Sequence, residues 1–300
     1  MKTLFSTLLL AAALVLGAGA QAAPKVAVSI PPQKAVVDAV SGGACEVLVL
    51  VGPGQDPHVY EPTPRQLEAL RGCALLFTAG MPFERVLAGK LAKVSPETRV
   101  VAMSGSAERR GADAHGGERG HVHAEGEGCA DHEDDPHVWM SPDRLSEQGA
   151  AVAAALAAVD STNAANYAAG AADFTARAAA LKAAIAERLR VAGVKRVAAY
   201  HPAWGHFAEA FGIEQIAVES HGQSPGARHL AVFEQTVREQ GVETLLVQNA
   251  GEGRRVAAFA RKCGLRVVVV DPLAADVLGA LRATADALCG PEAGAKAVEP

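Results

Sequence analysis

The chain has 300 residues, of which half are hydrophobic and a fifth are charged, and this length favours two domains. So much apolar material excludes a chain that is disordered throughout. The net charge of −5, from 28 basic and 33 acidic residues, excludes the broad basic surface that a nucleic-acid partner requires.

The N-terminal segment has the composition of an export signal. Lys2 supplies a short positive region, the run Leu4–Leu16 is apolar, and Ala20-Gln21-Ala22 matches a cleavage site. A membrane anchor is the alternative, but the run is short, no stop-transfer pattern follows, and no nearby cysteine offers a lipid attachment site. The sequence therefore predicts a signal peptide at 1–22 and an exported mature chain without a membrane anchor.

Strand-like and helix-like segments alternate in the first part of the mature chain. Helical spacing is found at Gln33–Val40 and Pro64–Arg71, the second with a proline in its first turn, where the missing N–H costs little. The short apolar, β-rich runs are Lys25–Ile30, Glu46–Val51, Ala74–Thr78 and Arg99–Ala102. This alternation indicates βαβ units around a mostly parallel sheet. We predict an N-terminal α/β lobe over 23–160.

Histidine and acidic residues dominate the segment 113–135 of this lobe. It resembles a flexible, polar loop rather than a strand or helix, and its imidazoles suit zinc, copper or nickel. A solvated acidic linker with incidental histidines is the alternative, which so dense a cluster disfavours. The segment predicts secondary, weaker metal binding by His115, His121, His123 and His132.

The stretch 161–192 predicts one long helix, because it contains no proline and a single glycine, Gly170. About 30 helical residues span roughly 45 Å, which suits a rigid connection between two lobes. Beyond Gly193 the strand–helix alternation resumes. The predicted strands there are Arg196–Tyr200, Gln215–Val218, Thr244–Val247 and Arg266–Val270. The layout is two α/β lobes, the second over 193–300, joined by one helix and with no close sequence repeat between them.

Four metal-binding side chains fall at comparable places in this layout. His58, His201 and Asp271 follow predicted strands, and His137 follows the His-rich segment. Ligands of open α/β sheets bind beyond the carboxyl ends of the strands. Each residue alone has an ordinary structural explanation, whereas three imidazoles and one carboxylate together form a four-coordinate site of the kind that zinc takes. The sequence therefore predicts a metal site in the cleft between the lobes.

Several motifs resemble those of the periplasmic solute-binding proteins that serve zinc and manganese ABC transporters, the cluster A-I family. They are GQDPHVYEPTP from Gly54, DPHVWMSP from Asp135, YHPAWG from Tyr200, ESHGQSP from Glu219 and VDPL from Val270. The resemblance covers essentially the whole mature chain, and the His-rich insertion is similar to that of the zinc-uptake members. There are departures: Gln248-Asn249 replaces an acidic residue and proline, His206 replaces an aromatic residue, and Pro202 replaces a polar residue.

The resemblance implies two lobes, a rigid linking helix and one metal ion bound in the cleft by His58, His137, His201 and Asp271. It implies capture of Zn²⁺ in the periplasm and delivery to an ABC transporter permease with its cytoplasmic ATPase. We expect a monomer that binds its ion without chemistry.

The choice of metal and the alternatives rest on the ligand chemistry. Three nitrogen ligands favour zinc over manganese, which prefers oxygen-rich shells. A manganese or iron carrier and a periplasmic metal buffer without a transporter remain alternatives. A metallohydrolase is disfavoured, because four protein ligands leave no open coordination position and the chain has no His-Glu-x-x-His pattern. We therefore expect no enzyme activity.

The five cysteines are too few for a disulfide-dense scaffold in a chain of this length. Cys263 and Cys289 both fall in the second lobe, and the expected compartment is oxidising. Closing a loop of about 25 residues would stabilise that lobe. We therefore predict a disulfide between them, whereas the spacing of Cys45 and Cys73 does not decide whether they pair.

Overall fold

The computed structural model describes residues 24–103, 135–219 and 225–290. The predicted signal peptide at 1–22 lies outside these residues. So does the His-rich segment up to residue 134, with the four histidines to which we assign secondary metal binding. Among the described residues, no helix combines the length and the apolar character needed to cross a membrane.

The first lobe contains one sheet of four parallel strands in the order β2-β1-β3-β4. The strand β1, Lys25–Val28, lies in the interior of this sheet. Its residues Val26, Ala27 and Val28 have no exposed surface, as expected where helices cover both faces of a sheet. The elements are β1 (Lys25–Val28), α1 (Pro31–Ser41), β2 (Glu46–Val49), α2 (Pro64–Leu70), β3 (Leu75–Thr78), α3 (Pro82–Val94) and β4 (Arg99–Ala102).

Two long helices connect the lobes. A short 3₁₀ turn, Val138–Met140, leads into α4 (Pro142–Val159), and a second short turn leads into α5 (Ala164–Val191). The 28 residues of α5 span about 42 Å, close to the length expected for the linking helix. Gly170 lets α5 approach α1, because a Cβ atom there would lie 2.3 Å from the carbonyl oxygen of Val40. No helix was predicted from the sequence for the residues of α4.

The second lobe repeats the topology of the first. Its four strands are all parallel, in the order β6-β5-β7-β8, so each strand has a counterpart at the same position of the first sheet. The elements are β5 (Arg196–Ala199), α6 (Gly205–Phe211), β6 (Glu214–Ala217), α7 (Ala227–Glu239), β7 (Thr244–Val247), α8 (Ala250–Cys263), β8 (Arg266–Val269) and α9 (Val277–Cys289). The predicted α/β fold class, with two parallel sheets and a long helix between them, is confirmed.

One hydrophobic core extends through both lobes. It includes Leu76 of the first sheet, Trp139 before α4, Ile185 of α5 and Leu246 of the second sheet, all of them nearly or fully buried. A smaller cluster, which includes Leu245, covers the opposite face of the second sheet beneath α7 and α8. The two lobes are therefore joined by shared packing as well as by the chain.

The predicted disulfide between Cys263 and Cys289 is wrong, because both thiols are free. Successive strand residues face opposite sides of a sheet, and Leu245 and Leu246 belong to the smaller cluster and the main core, respectively. Cys263 packs against the smaller cluster and Cys289 against the main core, so the second sheet separates them. Cys45 and Cys73 are buried, and they too are free.

Candidate metal centre

Three imidazole rings converge at the cleft between the lobes. Those of His58, His137 and His201 each offer a ring nitrogen, and these nitrogens all lie within 4.8 Å of one another. The Nε2 atoms of His58 and His137 are 3.4 Å apart. The ring centroids are separated by 5.1 to 5.3 Å. We refer to these three residues as the histidine triad.

The triad is assembled from the carboxyl-terminal edges of both sheets. His58 lies in the turn that follows β2, and His201 lies just beyond the end of β5. The turn before His58 needs Gly54, whose φ of 74° is in the left-handed region. Its far end is fixed by Tyr60, whose buried hydroxyl donates to the carbonyl oxygen of Leu50 at 2.7 Å. The turn thus holds His58 towards the second lobe.

A carboxylate holds the third imidazole. His137 donates from Nδ1 and from its backbone N–H to Oδ1 of Asp135, at 2.6 and 2.9 Å. Burial raises the pKa of Asp135, but the hydrogen bonds from His137 and the electrostatic attraction between the two groups outweigh it and hold that pKa below its usual range. The ionised carboxylate only accepts, so the proton of a neutral ring lies on Nδ1. This leaves the Nε2 lone pair free to face a metal, as in metal-binding histidines generally.

His201 has the same arrangement on the other side of the cleft. Its Nδ1 is 3.1 Å from Oε2 of Glu219, which accepts the hydrogen bond. Its Nε2 is buried and has no hydrogen-bond partner among the described residues. A buried polar atom without a partner costs about 1–3 kcal/mol. A cation bound between the three rings would remove that cost, so the donor set fits a metal ion.

The surroundings favour the uncharged form of two rings of the triad, those of His58 and His201. Burial is the main cause that lowers the pKa of His58, to about 4, and the neighbouring rings of His137 and His201 lower it further. Burial, followed by the charge of His137, also lowers the pKa of His201, against the opposing effect of Glu219. A neutral imidazole is the form that binds metal ions. At neutral pH these two rings are therefore in the form that binds a cation.

Comparison with known proteins identifies the family to which this chain belongs. Residues 26–288 match the profile of the ZnuA family, described as "Zinc-uptake complex component A periplasmic". The chain belongs to the ZnuA family. The high-affinity zinc uptake system protein ZnuA of Paracoccus denitrificans is 30% identical over 278 residues, which cover 84% of this chain and 85% of that protein.

Solved structures of the ZnuA family share the fold. A crystal structure of ZnuA is 28% identical, with a TM-score of 0.76 over 90% of this chain and 100% of that one. A zinc-bound deletion mutant of ZnuA is 29% identical, with the same TM-score over 90% of this chain and 99% of that one.

Asp271, the fourth ligand implied by the family resemblance, does not lie with the three histidines of the triad. It lies just beyond β8, exposed to solvent, and its Oδ1 accepts the backbone N–H of Leu273 at 2.8 Å. The adjacent Pro272 lines the pocket at His58 and His137. The sequence thus placed Asp271 at the correct edge of the fold, but its carboxylate is engaged in its own turn.

The contacts of Asp135 with His137 and of Glu219 with His201 were not predicted from the sequence. Asp135 stands two residues before His137, a spacing at which a carboxylate can accept from the backbone and the ring together. Glu219 lies eighteen residues after His201, and only the pairing of β5 with β6 brings the two together. The first contact had a local signal in the sequence, whereas the second depends on strand order.

Proposed function

We propose that this protein captures Zn²⁺ and passes it to a zinc uptake transporter. The observation that carries the proposal is the convergence of three imidazoles, two of which are held at Nδ1 by a carboxylate. Membership of the ZnuA family and the zinc-bound neighbour structure support it. Members of this family are solute-binding transport proteins, and a binding role needs no further chemistry at the site.

The spacing of two rings of the triad suits zinc. Zinc bound to histidine nitrogens at 2.0–2.1 Å with tetrahedral geometry requires nitrogens roughly 3.3–3.4 Å apart. The separation of 3.4 Å between Nε2 of His58 and Nε2 of His137 meets that requirement. A nitrogen-rich site of this kind also disfavours manganese.

For the fourth ligand we propose Asp271. Its carboxylate lies in the turn that contains Pro272, and Pro272 lines the pocket beside the triad. Exchanging the hydrogen bond with Leu273 N–H for a bond to the ion requires a local rearrangement of this turn. Four protein ligands would close the coordination sphere, which suits carriage of the ion and disfavours a zinc hydrolase.

The cellular setting is part of the proposal. Export by the signal peptide at 1–22 would place the mature chain in the periplasm, in agreement with the description of its family. Its partner there would be the permease of an ABC transporter, driven by a cytoplasmic ATPase. The protein would load this permease as a monomer.

The decisive experiment measures both metal content and metal preference. We expect the purified protein to contain one tightly bound zinc ion and to retain zinc in competition with manganese. His137→Ala should abolish tight binding because it removes a triad nitrogen. His229→Ala, at an exposed histidine of α7 outside the triad, is the matched control and should bind as the unaltered protein does. A preference for manganese, or unchanged affinity in His137→Ala, would overturn the assignment.

We also propose weaker zinc binding by His115, His121, His123 and His132. The composition of this segment provides few apolar residues to preform a site, so binding must fix its backbone at a cost of roughly 1–2 kcal/mol per residue, and the affinity should be lower than at the triad. Deleting 114–134 should remove the weak sites and leave one tight zinc ion, as measured by zinc titration. Unchanged total stoichiometry would show that the segment binds no zinc, and loss of the tight ion would show that it supplies primary ligands.

A further inference from the structure

His206 connects the second lobe to the metal centre. It lies in α6, is 4% exposed, and donates from Nε2 to the backbone carbonyl oxygen of Asp135 at 3.0 Å. A carbonyl oxygen accepts and cannot donate, so this contact requires the proton of His206 on Nε2. Asp135 precedes α4, whereas α6 packs in the second lobe, so the hydrogen bond crosses between the lobes.

Asp135 is held from two sides. Its carbonyl oxygen receives the bond from His206, and its carboxylate receives the ring and backbone bonds from His137. The position of the carboxylate follows the position of its main chain. A chain of contacts therefore leads from α6 through Asp135 to the ring of His137, which belongs to the triad.

The helix α6, from which this chain of contacts begins, is anchored in the core. Trp204 and Phe207, the neighbours of His206 in and just before α6, have no exposed surface. The indole N–H of Trp204 donates to the hydroxyl of Thr284 in α9 at 3.1 Å. Because α6 is anchored in the core in this way, His206 offers Asp135 a fixed donor rather than a mobile surface group.

We propose that His206 is a positioning residue for zinc binding. From the second lobe it fixes the main chain of Asp135, and thereby the orientation in which His137 presents Nε2 across the cleft to His58 and His201. This inference rests on the proposed zinc-binding function and adds to it a residue that does not touch the ion.

The test compares His206→Gln with His206→Met. The two side chains are similar in length, but only glutamine has an N–H near the position of Nε2. Changes in the outer shell of a metal site typically cost 10–100-fold in affinity. Because His206 acts through Asp135, we expect a loss of about 10-fold for His206→Met, at the lower end of that range. We expect near-complete retention for His206→Gln.

A spectroscopic measurement and a control variant separate a positioning role of His206 from a general loss of stability. The visible absorption of the Co²⁺-loaded protein reports ligand geometry, and we expect it to change in His206→Met but not in His206→Gln. Tyr167→Phe is the matched control, because it removes a buried hydrogen bond to Asp160 at the α4–α5 junction. It should lower thermal stability while leaving zinc affinity and the Co²⁺ spectrum unchanged.

The possible failures are distinguishable. If the unaltered protein does not bind zinc, the proposed function fails. If it binds zinc and His206→Met matches it in affinity and spectrum, or His206→Gln is as impaired as His206→Met, the positioning role alone is overturned. ¹⁵N-histidine NMR of the metal-free, unaltered protein needs no variant to fold. It should show His206 protonated at Nε2 and His137 protonated at Nδ1, and the opposite tautomer of His206 would overturn the proposal.

Discussion

Each lobe contributes one carboxylate that fixes a histidine of the triad from behind. Asp135 accepts from Nδ1 of His137, and Glu219 accepts from Nδ1 of His201. In the neutral ring these contacts place the proton on Nδ1 and leave Nε2 aimed at the cleft, so that binding a cation requires little reorganisation of either ring. No comparable carboxylate contact to the ring of His58 is found in the described structure; its backbone N–H donates to Asp56 instead.

We expect Glu219→Gln to weaken zinc binding about 10-fold. The amide oxygen of glutamine can still accept from Nδ1 of His201, but it lacks the negative charge that makes the imidazole a stronger ligand. Competition between the protein and a zinc chelator would measure the change. Glu239→Gln, at an exposed residue near the end of α7, is the control and should have no effect. Equal affinities for the two variants would exclude a role for the Glu219 charge.

The junction between α4 and α5 depends on a buried polar contact. Asp160 lies between the two helices, and its Oδ2 accepts from the hydroxyl of Tyr167 at 2.6 Å and from Nδ2 of Asn163 at 2.7 Å. These two hydrogen bonds, that of Tyr167 foremost, lower the pKa of Asp160. The ionised carboxylate therefore fixes the angle at which the chain turns from α4 into α5.

This contact predicts a specific acid sensitivity. Because the folded-state pKa of Asp160 is depressed, its contribution to stability is present above the unfolded value of about 3.9 and is lost as pH falls through the lower folded value. We expect the free energy of unfolding to fall more between pH 5 and pH 3 in the unaltered protein than in Asp160→Asn. Urea unfolding at both pH values would measure this. Asp173→Asn, in the exposed part of α5, should follow the unaltered protein.

Strands were more predictable than helices from this sequence. The strands are short apolar runs bounded by Gly, Pro or polar residues, and all eight predicted runs overlap the strands of the structure to within two residues at each end. α4 was missed because its alanine-rich sequence offers little contrast between buried and exposed positions. The convergence of His58 and His201 followed from their placement after strands, whereas the contact between Glu219 and His201 required the strand order of the second sheet.

At the scale of the whole molecule, the lobes are joined by a shared core and by hydrogen bonds that cross between them. The indole N–H of Trp139, in the 3₁₀ turn before α4, donates to the carbonyl oxygen of Pro272 in the turn after β8 at 2.7 Å. Trp139 is 1% exposed, and it also packs edge-on against the ring of His137. The same residue therefore joins the two lobes and supports the triad.

We expect both lobes to unfold in one cooperative transition, because they share a core. Trp139→Phe should lower the free energy of unfolding by about 1–3 kcal/mol, because it leaves the buried carbonyl of Pro272 without its donor. Calorimetry would test both statements. Two separate transitions in the unaltered protein would contradict the shared core. Val59→Ala, at a side chain that is 78% exposed, provides a control without a stability change.

The all-parallel pairing of both sheets has a consequence for the timing of folding. Parallel neighbours cannot be joined by a tight turn, so every strand pair forms only after a crossover has brought distant residues together. The entropy of closing these loops is lost before the pairing compensates for it, and such topologies fold slowly. For a chain that we propose to be exported, slow folding is an advantage, because it keeps the polypeptide extended until it has left the compartment in which it is made.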